Sequence, residues 1–124
     1  MNMKRLALGL GTVFLLASLY GFAGSAEQKI VTPGAPTALR LVIVPDGFKL
    51  SWQLSPDDSG VVTGYEIVRS DLASGPFINV ATVDNGVLSY IDTTASPEII
   101  YYYKVRAVAG SSYSQYSNTV TGER

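Results

Sequence analysis

The strongest constraint on the fold is the alternation of apolar and polar residues between Tyr101 and Val108. At a period of two residues, one face of this segment carries Tyr101, Tyr103, Val105 and Ala107. The opposite face carries Tyr102, Lys104, Arg106 and Val108. Because a register shift of one residue would bury Lys104 and Arg106, the two charges determine which face is buried. The pattern therefore predicts a half-buried strand, and no segment repeats with the period of about 3.6 residues that a helix requires.

Six further segments show the same alternation or the enrichment in Val, Ile, Thr and Tyr that is typical of strands. Turn residues separate them, as in Pro45-Asp46-Gly47. The seven predicted strands cover residues 37–44, 47–54, 63–70, 77–83, 87–92, 99–108 and 114–121. This number of short strands in about 100 residues indicates an all-β fold, a seven-stranded antiparallel immunoglobulin-like β-sandwich. Its predicted core includes Trp52, Tyr65, Tyr101, Tyr103 and Val105.

The N-terminal segment differs in composition from the rest of the chain. Lys4 and Arg5 precede an uncharged, apolar run that ends in small residues at Ala26. This is the layout of a signal peptide cleaved near Ala26, while the length of the run leaves an uncleaved membrane anchor as the alternative. Both interpretations place the remainder outside the cytoplasm, as a secreted or cell-envelope protein. The predicted division is a signal segment, an N-terminal arm, one domain and a short tail, at residues 1–26, 27–35, 36–121 and 122–124.

The composition excludes several classes of active site. The chain has 124 residues with no cysteine and no histidine, so it has no disulfides, thiolate or imidazole metal ligands, or histidine-based catalytic triads. A net charge of −1 provides no basic surface for nucleic acid. The adjacent Asp57 and Asp58 supply too few oxygens for a Ca²⁺ site. We therefore predict a protein that is not an enzyme and that uses no cofactor or metal.

Several motifs in order resemble the fibronectin type III domain. A proline-marked entry at Pro33–Pro36 precedes Trp52 in the second strand, and Gly64-Tyr65 opens the third. The Tyr-x-Tyr-x-Val-x-Ala pattern from Tyr101 and the closing Ser117-Asn-Thr-Val complete the resemblance, which runs from about Pro33 to Thr121. It implies a non-catalytic module with a protein, glycan or cell-surface partner. The resemblance also implies a tyrosine corner at Tyr101, whose hydroxyl bonds back to the preceding turn.

The turn before the sixth strand departs from the family pattern. Ala95 stands where the family usually has leucine, which reduces the volume of the core, and Glu98 stands where it usually has glycine. Because glycine is the residue that readily adopts a positive φ, Glu98 argues against such a conformation in this turn.

The segment Tyr113-Ser-Gln-Tyr116-Ser resembles, with tyrosine for tryptophan, the Trp-Ser-x-Trp-Ser motif of cytokine-receptor fibronectin modules. In that motif aromatic rings interleave with cations from the neighbouring strand, a role that the resemblance gives to Lys104 and Arg106. The simpler interpretation, which the sequence alone favours, is two tyrosines in an ordinary final strand.

The predicted binding surface is the outward face of strands three, six and seven, where aromatic and basic residues are combined as in many interaction hot spots. Its candidate residues are Val68, Tyr102, Lys104, Arg106, Tyr113 and Tyr116. Loop residues are the other candidates, namely Asp57, Asp58 and Ser112.

The predicted function is an exported, non-catalytic binding or structural module that mediates protein or surface contacts outside the cytoplasm. One alternative is a membrane-tethered form of the same module. Another is a subunit of an extracellular filament or envelope assembly that adds the segment 27–32 to the sheet edge of a neighbour. The predicted partner is a protein, a cell surface or a glycan and not nucleic acid, and a membrane is involved only if the N-terminal segment is retained.

Overall fold

The computed structural model describes residues 32–55 and 61–124. The predicted signal segment, part of the predicted arm, and Asp57 and Asp58 lie outside these ranges. Within them the chain forms eight strands: β1 (Thr37–Val44), β2 (Gly47–Gln53), β3 (Gly64–Ser70), β4 (Ile78–Asp84), β5 (Ser89–Asp92), β6 (Tyr101–Ala109), β7 (Ser112–Tyr113) and β8 (Val120–Gly122). The described residues include no helix capable of crossing a membrane.

The strands form two antiparallel sheets. Sheet A has the order β1-β2-β5, and sheet B has the order β4-β3-β6-β7 with β8 also paired to β6. Strands β1 and β2 are joined by the tight turn at Pro45 and Asp46. Glycine is required where β2 begins, because a Cβ atom on Gly47 would lie 2.1 Å from the carbonyl oxygen of Asp92 in β5. The predicted all-β sandwich is thereby confirmed.

The core lies between the two sheets, and aromatic pairs connect them. Trp52 of sheet A contacts Tyr65 of sheet B edge to face, with ring centroids 5.6 Å apart. Phe48 and Tyr103 form a second such pair at 5.9 Å. Edge-to-face pairs of this kind add about 0.5–1.5 kcal/mol to the stabilisation that burial provides. The buried cluster around them also includes Leu39, Leu50, Val62, Ile67, Ala95, Tyr101, Val105 and Ala107.

The first six predicted strands lie within two residues of the observed ones, but the seventh prediction is wrong in its extent. Instead of one strand over 114–121, the chain forms the short β7 and β8, with six residues between them outside any strand. The intervening segment bonds β6 through serine side chains as well as through its backbone, as described below.

The prediction that Val68 points into solvent is also wrong, since only 3% of this residue is exposed. Val68 lies in β3, which has a neighbour on each side, and it is paired with Lys104 on β6 and Asn79 on β4. A register irregularity between Ile67 and Val68 interrupts the alternation, and both residues are buried. The valine is buried although it lies outside the core cluster between the sheets.

The turn before β6 has the tyrosine-corner bond that the family resemblance implied. The backbone N–H of Ser96 donates to the hydroxyl oxygen of Tyr101 at 3.1 Å. The expectation for Glu98 is wrong, because this residue has a φ of +67°. Two bonds hold the turn in place: the N–H of Glu98 donates to the carbonyl of Arg124, and the Arg124 guanidinium donates to the carbonyl of Ala95, both at 3.0 Å.

Candidate functional site

The outward face of sheet B carries a row of alternating aromatic rings and cations, which we call the ladder. The ammonium of Lys104 lies 4.1 Å from the ring centroid of Phe77 and 4.7 Å from that of Tyr116. The guanidinium carbon of Arg106 lies 4.9 Å from the Tyr116 centroid and 3.7 Å from that of Tyr113. The order is therefore Phe77, Lys104, Tyr116, Arg106 and Tyr113, with each cation between two rings. All four distances are within the range of favourable cation–π contacts.

Two serines explain why the rings match the cations in spacing. The N–H of Ser114 donates to the carbonyl of Ala107 at 2.9 Å, and its Oγ accepts from the N–H of Ala107 at 2.8 Å. Ser117 makes the same pair of bonds with Val105, at 2.8 and 3.0 Å. Ser114 and Ser117 are three residues apart in the segment after β7, but their partners Ala107 and Val105 are only two residues apart on β6. For that reason the segment cannot continue as a regular strand.

The same spacing places rings three residues apart beside cations two residues apart. Tyr113 and Tyr116 therefore alternate with Arg106 and Lys104 across the strand boundary. This arrangement is the one implied by the resemblance to the Trp-Ser-x-Trp-Ser motif, and it corrects the simpler interpretation of an ordinary final strand.

Neighbouring strands fix the ladder from both sides. Arg106 donates through Nε to a carboxylate oxygen of Glu66 on β3, and Asn79 of β4 donates to the other oxygen at 2.9 Å. At the far side, the Asn118 side chain bonds both backbone groups of Leu39 in β1, at 2.9 and 3.0 Å. Arg106 is thereby held by side chains of β3 and β4, and the segment that follows Tyr116 is anchored to β1 of the other sheet.

The structure brings together five of the six residues predicted for the binding face. Lys104, Arg106, Tyr113 and Tyr116 belong to the ladder. Tyr102 lies on the same side of β6, half-buried and paired with Ser70 and Thr121. The sixth, Val68, is too deeply buried to touch a partner. Among the loop candidates, Ser112 lies half-buried at the start of β7, at the Tyr113 end of the ladder.

A buried charge network was not predicted from the sequence. Asp92 at the end of β5 is fully buried and accepts hydrogen bonds from Arg69 at 2.9 Å and from the Tyr103 hydroxyl at 2.7 Å. Thr94 donates to it through both its hydroxyl and its backbone N–H. These bonds connect sheet A to sheet B, so the network has a structural role. The sequence signal that could have predicted the burial of Asp92 is the alternation Tyr90-Ile91-Asp92, which points Asp92 inward.

The network changes the pKa of each of its members. Burial by itself raises the pKa of Asp92, but hydrogen bonds from Thr94, Tyr103 and Arg69 more than offset burial and hold that pKa below its ordinary value. Burial, together with the hydrogen bond to Asp92, raises the pKa of Tyr103 above its ordinary value. Burial lowers the pKa of Arg69, but the neighbouring Asp92 carboxylate raises it by a larger amount, so the net change is upward. In the folded protein these shifts favour Asp92 as a carboxylate, Tyr103 as a neutral phenol and Arg69 as a cation.

Neither the ladder nor the network has the composition of a metal site. Across residues 32–55 and 61–124 there is no group of three or more acidic side chains positioned to hold an ion. The ladder presents aromatic rings and cations, and Tyr113 at its end is 47% exposed.

The two packed antiparallel sheets and the tyrosine corner define an immunoglobulin-like β-sandwich. The family model described as the fibronectin type III domain matches residues 34–123, and the chain belongs to this family. The described fold agrees with that of a solved fibronectin type III-like protein from Clostridium thermocellum, with a TM-score of 0.63 and 28% identity over 73% of this chain and 92% of that chain.

The chain is also similar to a small part of much larger proteins. It is 42% identical to an amylopullulanase of Thermoanaerobacter thermohydrosulfuricus over 94 residues, which cover 76% of this chain and 6% of that protein. An amylopullulanase of Thermoanaerobacterium thermosulfurigenes is 35% identical over 111 residues, again over 6% of its length. A pectate lyase, Pel3 of Pectobacterium carotovorum, shares the fold with a TM-score of 0.59 at 23% identity.

Proposed function

We propose that the chain is exported and acts as a non-catalytic contact module, with the ladder and the adjacent Tyr102 as its contact surface toward a protein or glycan partner. The observation that carries the proposal is the ladder itself. Its tyrosines and arginine are residue types enriched at interaction hot spots, and the internal bonds hold them in place before any partner arrives. A surface ordered in advance loses less conformational entropy on binding than a mobile one.

The non-catalytic role is supported by the relatives. The chain spans 6–7% of the length of the amylopullulanases that it matches, so it corresponds to a small accessory portion of those proteins. The absence of histidine and cysteine from the chain removes the commonest general base and the commonest thiol nucleophile. The name of the relatives makes a glycan a reasonable class of partner.

Export is supported by the N-terminal sequence, in which Lys4 and Arg5 precede a long uncharged run. Mass spectrometry of the protein from its native cells should find a mature N-terminus near Glu27. Recovery of the intact chain from the membrane fraction, beginning at Met1, would establish the tethered form instead.

The contact surface is tested by placing a photo-cross-linking residue at position 102, beside the ladder, and at position 42 in a second version. Val42 is a matched control because it lies on the outer face of the other sheet and is 52% exposed. We expect a discrete cross-linked product in native cells only from position 102. Products from position 42 alone, or from neither position, would contradict the proposal.

Self-assembly through a sheet edge is a second candidate, because β1 is an edge strand with exposed apolar residues. Ile43 in this strand is 58% exposed, and Val42 beside it is more than half exposed. Exposed edges of this kind can pair with strands of another chain. Size-exclusion chromatography of the exported protein distinguishes the two functions, because a monomer at all concentrations is incompatible with edge assembly.

A further inference from the structure

A shallow cavity lies apart from the ladder, where β3 ends and where β4 and β6 begin. Its volume is about 350 Å³, and its walls are formed by Arg69, Ser70, Asp71, Pro76, Ile78 and Tyr101. This volume is at the lower end of the range of about 300–1,000 Å³ that is usual for ligand sites. The cavity therefore suits a small ligand or one or two units of a longer polymer.

The polar groups of the cavity include donors and acceptors that the protein does not use. Arg69 donates through Nη1 to Asp92 and Thr94 at 2.9 Å each and also interacts with the Tyr103 hydroxyl, which leaves at least two of its five N–H donors without an acceptor in the described residues. The Asp71 carboxylate is exposed and accepts no hydrogen bond from any described residue. The hydroxyl of Ser70 accepts from the N–H of Leu72 at 3.0 Å, which leaves its own hydrogen available.

The charge balance of the cavity disfavours anions and metal ions, and an organic cation would leave the donors of Arg69 without an acceptor. The positive charge of Arg69 is already compensated by Asp92, with which it forms an ion pair at 2.9 Å. An anion would therefore meet the uncompensated carboxylate of Asp71 with no free cation to balance it. A metal ion would find a single carboxylate, which is too few ligands for Ca²⁺ or Mg²⁺. A neutral ligand that both donates and accepts hydrogen bonds fits these groups best.

The apolar part of the cavity favours a ligand that also has an apolar surface. Ile78 is 58% exposed, and Pro76 beside it is exposed as well, so an apolar wall stands next to the carboxylate and the guanidinium. A sugar ring has this dual character, since its hydroxyls donate and accept hydrogen bonds while its C–H face is apolar. Hydroxyls of the ring would donate to Asp71 and accept from Arg69, and its C–H face would rest on Ile78 and Pro76.

We propose that the cavity between Arg69, Asp71 and Ile78 binds one or two neutral sugar units of a glycan. This inference deepens the proposed function, on which it rests for the exported location and for a glycan as the class of partner. It assigns the glycan to the cavity and leaves the ladder as a separate contact surface.

The test is a titration of the isotope-labelled full chain with maltotriose and with cellotriose, followed by amide NMR shifts. We expect saturable shifts at Arg69, Asp71 and Ile78 with at least one of these neutral trisaccharides. Asp71→Ala should weaken the affinity about tenfold, because it removes a charged acceptor of the ligand's hydroxyls. The matched control is Asp84→Ala, an exposed carboxylate at the opposite end of β4, which should leave the affinity unchanged.

A third ligand, trigalacturonate, tests the charge argument. Saturable binding of this anion in the cavity without binding of either neutral sugar would overturn the inference, as would the absence of saturable shifts with every ligand. Shifts confined to Lys104 and Tyr116 would also overturn it while supporting the ladder as the contact surface. Conversely, binding in the cavity with no cross-link from position 102 would leave this inference standing and contradict the role of the ladder.

Discussion

The outward faces of the two sheets differ although their strands alternate in the same way. On sheet B, Lys104 and Arg106 lie between aromatic rings. On sheet A, Lys49 is paired with Val42 on one side and Ile91 on the other, and it contacts no aromatic ring within the described residues. A lysine on an outward face is thus part of an ordered surface only where a neighbouring segment supplies rings at a matching spacing. In this chain the two serines of the segment after β7 provide that spacing.

The outward faces of the two sheets can be compared because both sheets pack against the same core. Trp52→Ala removes the sheet A partner of Tyr65 and should lower the free energy of unfolding by about 3–5 kcal/mol. The total free energy of unfolding of a domain is about 5–15 kcal/mol, so this loss would remove a large part of it. Urea titration measures the loss. Val42→Ala on the outer face is the control and should change stability by about 0.5 kcal/mol or less. A loss below about 1 kcal/mol for Trp52→Ala would contradict the shared core.

The buried charge network is the second connection between the sheets. Asp92→Asn leaves Arg69 without its counter-charge and weakens the bond from the Tyr103 hydroxyl, so we expect a loss of about 2–3 kcal/mol at neutral pH. Arg69 is partly exposed, which keeps the effect below that of breaking a fully buried ion pair. Urea titration of both proteins at neutral pH provides the measurement, and equal stability would show that the network does not hold the sheets together.

The same network predicts an acid dependence with a definite sign. Because the pKa of Asp92 is lowered in the folded state, the unfolded chain binds its proton more readily. The stability that Asp92 contributes is therefore present above about pH 4 and is lost as the pH falls through its lower folded value. Urea titrations between about pH 5 and pH 2 should show a smaller acid loss for Asp92→Asn than for the parent. The same acid loss in both proteins would contradict the lowered pKa.

The ladder can be compared directly with its counterpart on sheet A. Arg106→Gln removes two cation–π contacts and the ion pair with Glu66, which together should lower stability by about 1–2 kcal/mol. Lys49→Gln removes a cation that has no such contacts in the described residues, so its effect should be about 0.5 kcal/mol or less. Thermal unfolding of the two variants measures the difference. Equal effects would mean that the ladder contributes nothing beyond an ordinary charged surface.

The sequence predicted most of the fold because alternation reports directly on which side of a strand is buried. Trp52, Tyr65, Tyr103 and Val105 are all buried, as the sequence predicted. Alternation does not report what covers an outward side chain, and for that reason the burial of Val68 beside Lys104 was missed. It also does not report bonds made by side chains to a backbone. The serine bonds to β6 therefore escaped prediction, and with them the end of the regular strand.

Four of the five ladder residues were predicted from the sequence, but Phe77 and the arrangement of the ladder were not. Lys104 and Arg106 followed from the period of β6, and the tyrosines followed from a motif resemblance. Whether the rings would interleave with the cations depended on distances between segments, which no local pattern contains. The Asp92 network required contacts among three strands, and the positive φ of Glu98 depended on Arg124 at the far end of the domain. Long-range contacts of this kind decide between local alternatives that the sequence leaves open.

Apart from the control variants, the smallest expected effect on stability belongs to Tyr102, and it separates the two sides of β6 most sharply. Tyr102 lies on the outward side, and in the described part of the chain its hydroxyl makes no hydrogen bond and its ring contacts no cation. Tyr102→Ala should therefore change the free energy of unfolding by about 1 kcal/mol or less. The inward neighbour Tyr101 packs in the core and accepts the bond from Ser96, so Tyr101→Ala should cost about 3 kcal/mol or more.

Binding at the ladder should show the opposite order, because Tyr102 lies on that face of sheet B and Tyr101 does not. If the outward face is the contact surface, Tyr102→Ala should weaken capture of the partner identified by cross-linking by about 2 kcal/mol or more, with the fold intact. A Tyr102→Phe variant serves as the control, since it keeps the ring and removes only the hydroxyl. Retention of binding by Tyr102→Phe and loss by Tyr102→Ala would assign the contact to the ring. Full binding by Tyr102→Ala would exclude this position from the contact, because a hot-spot ring cannot be truncated without loss of affinity.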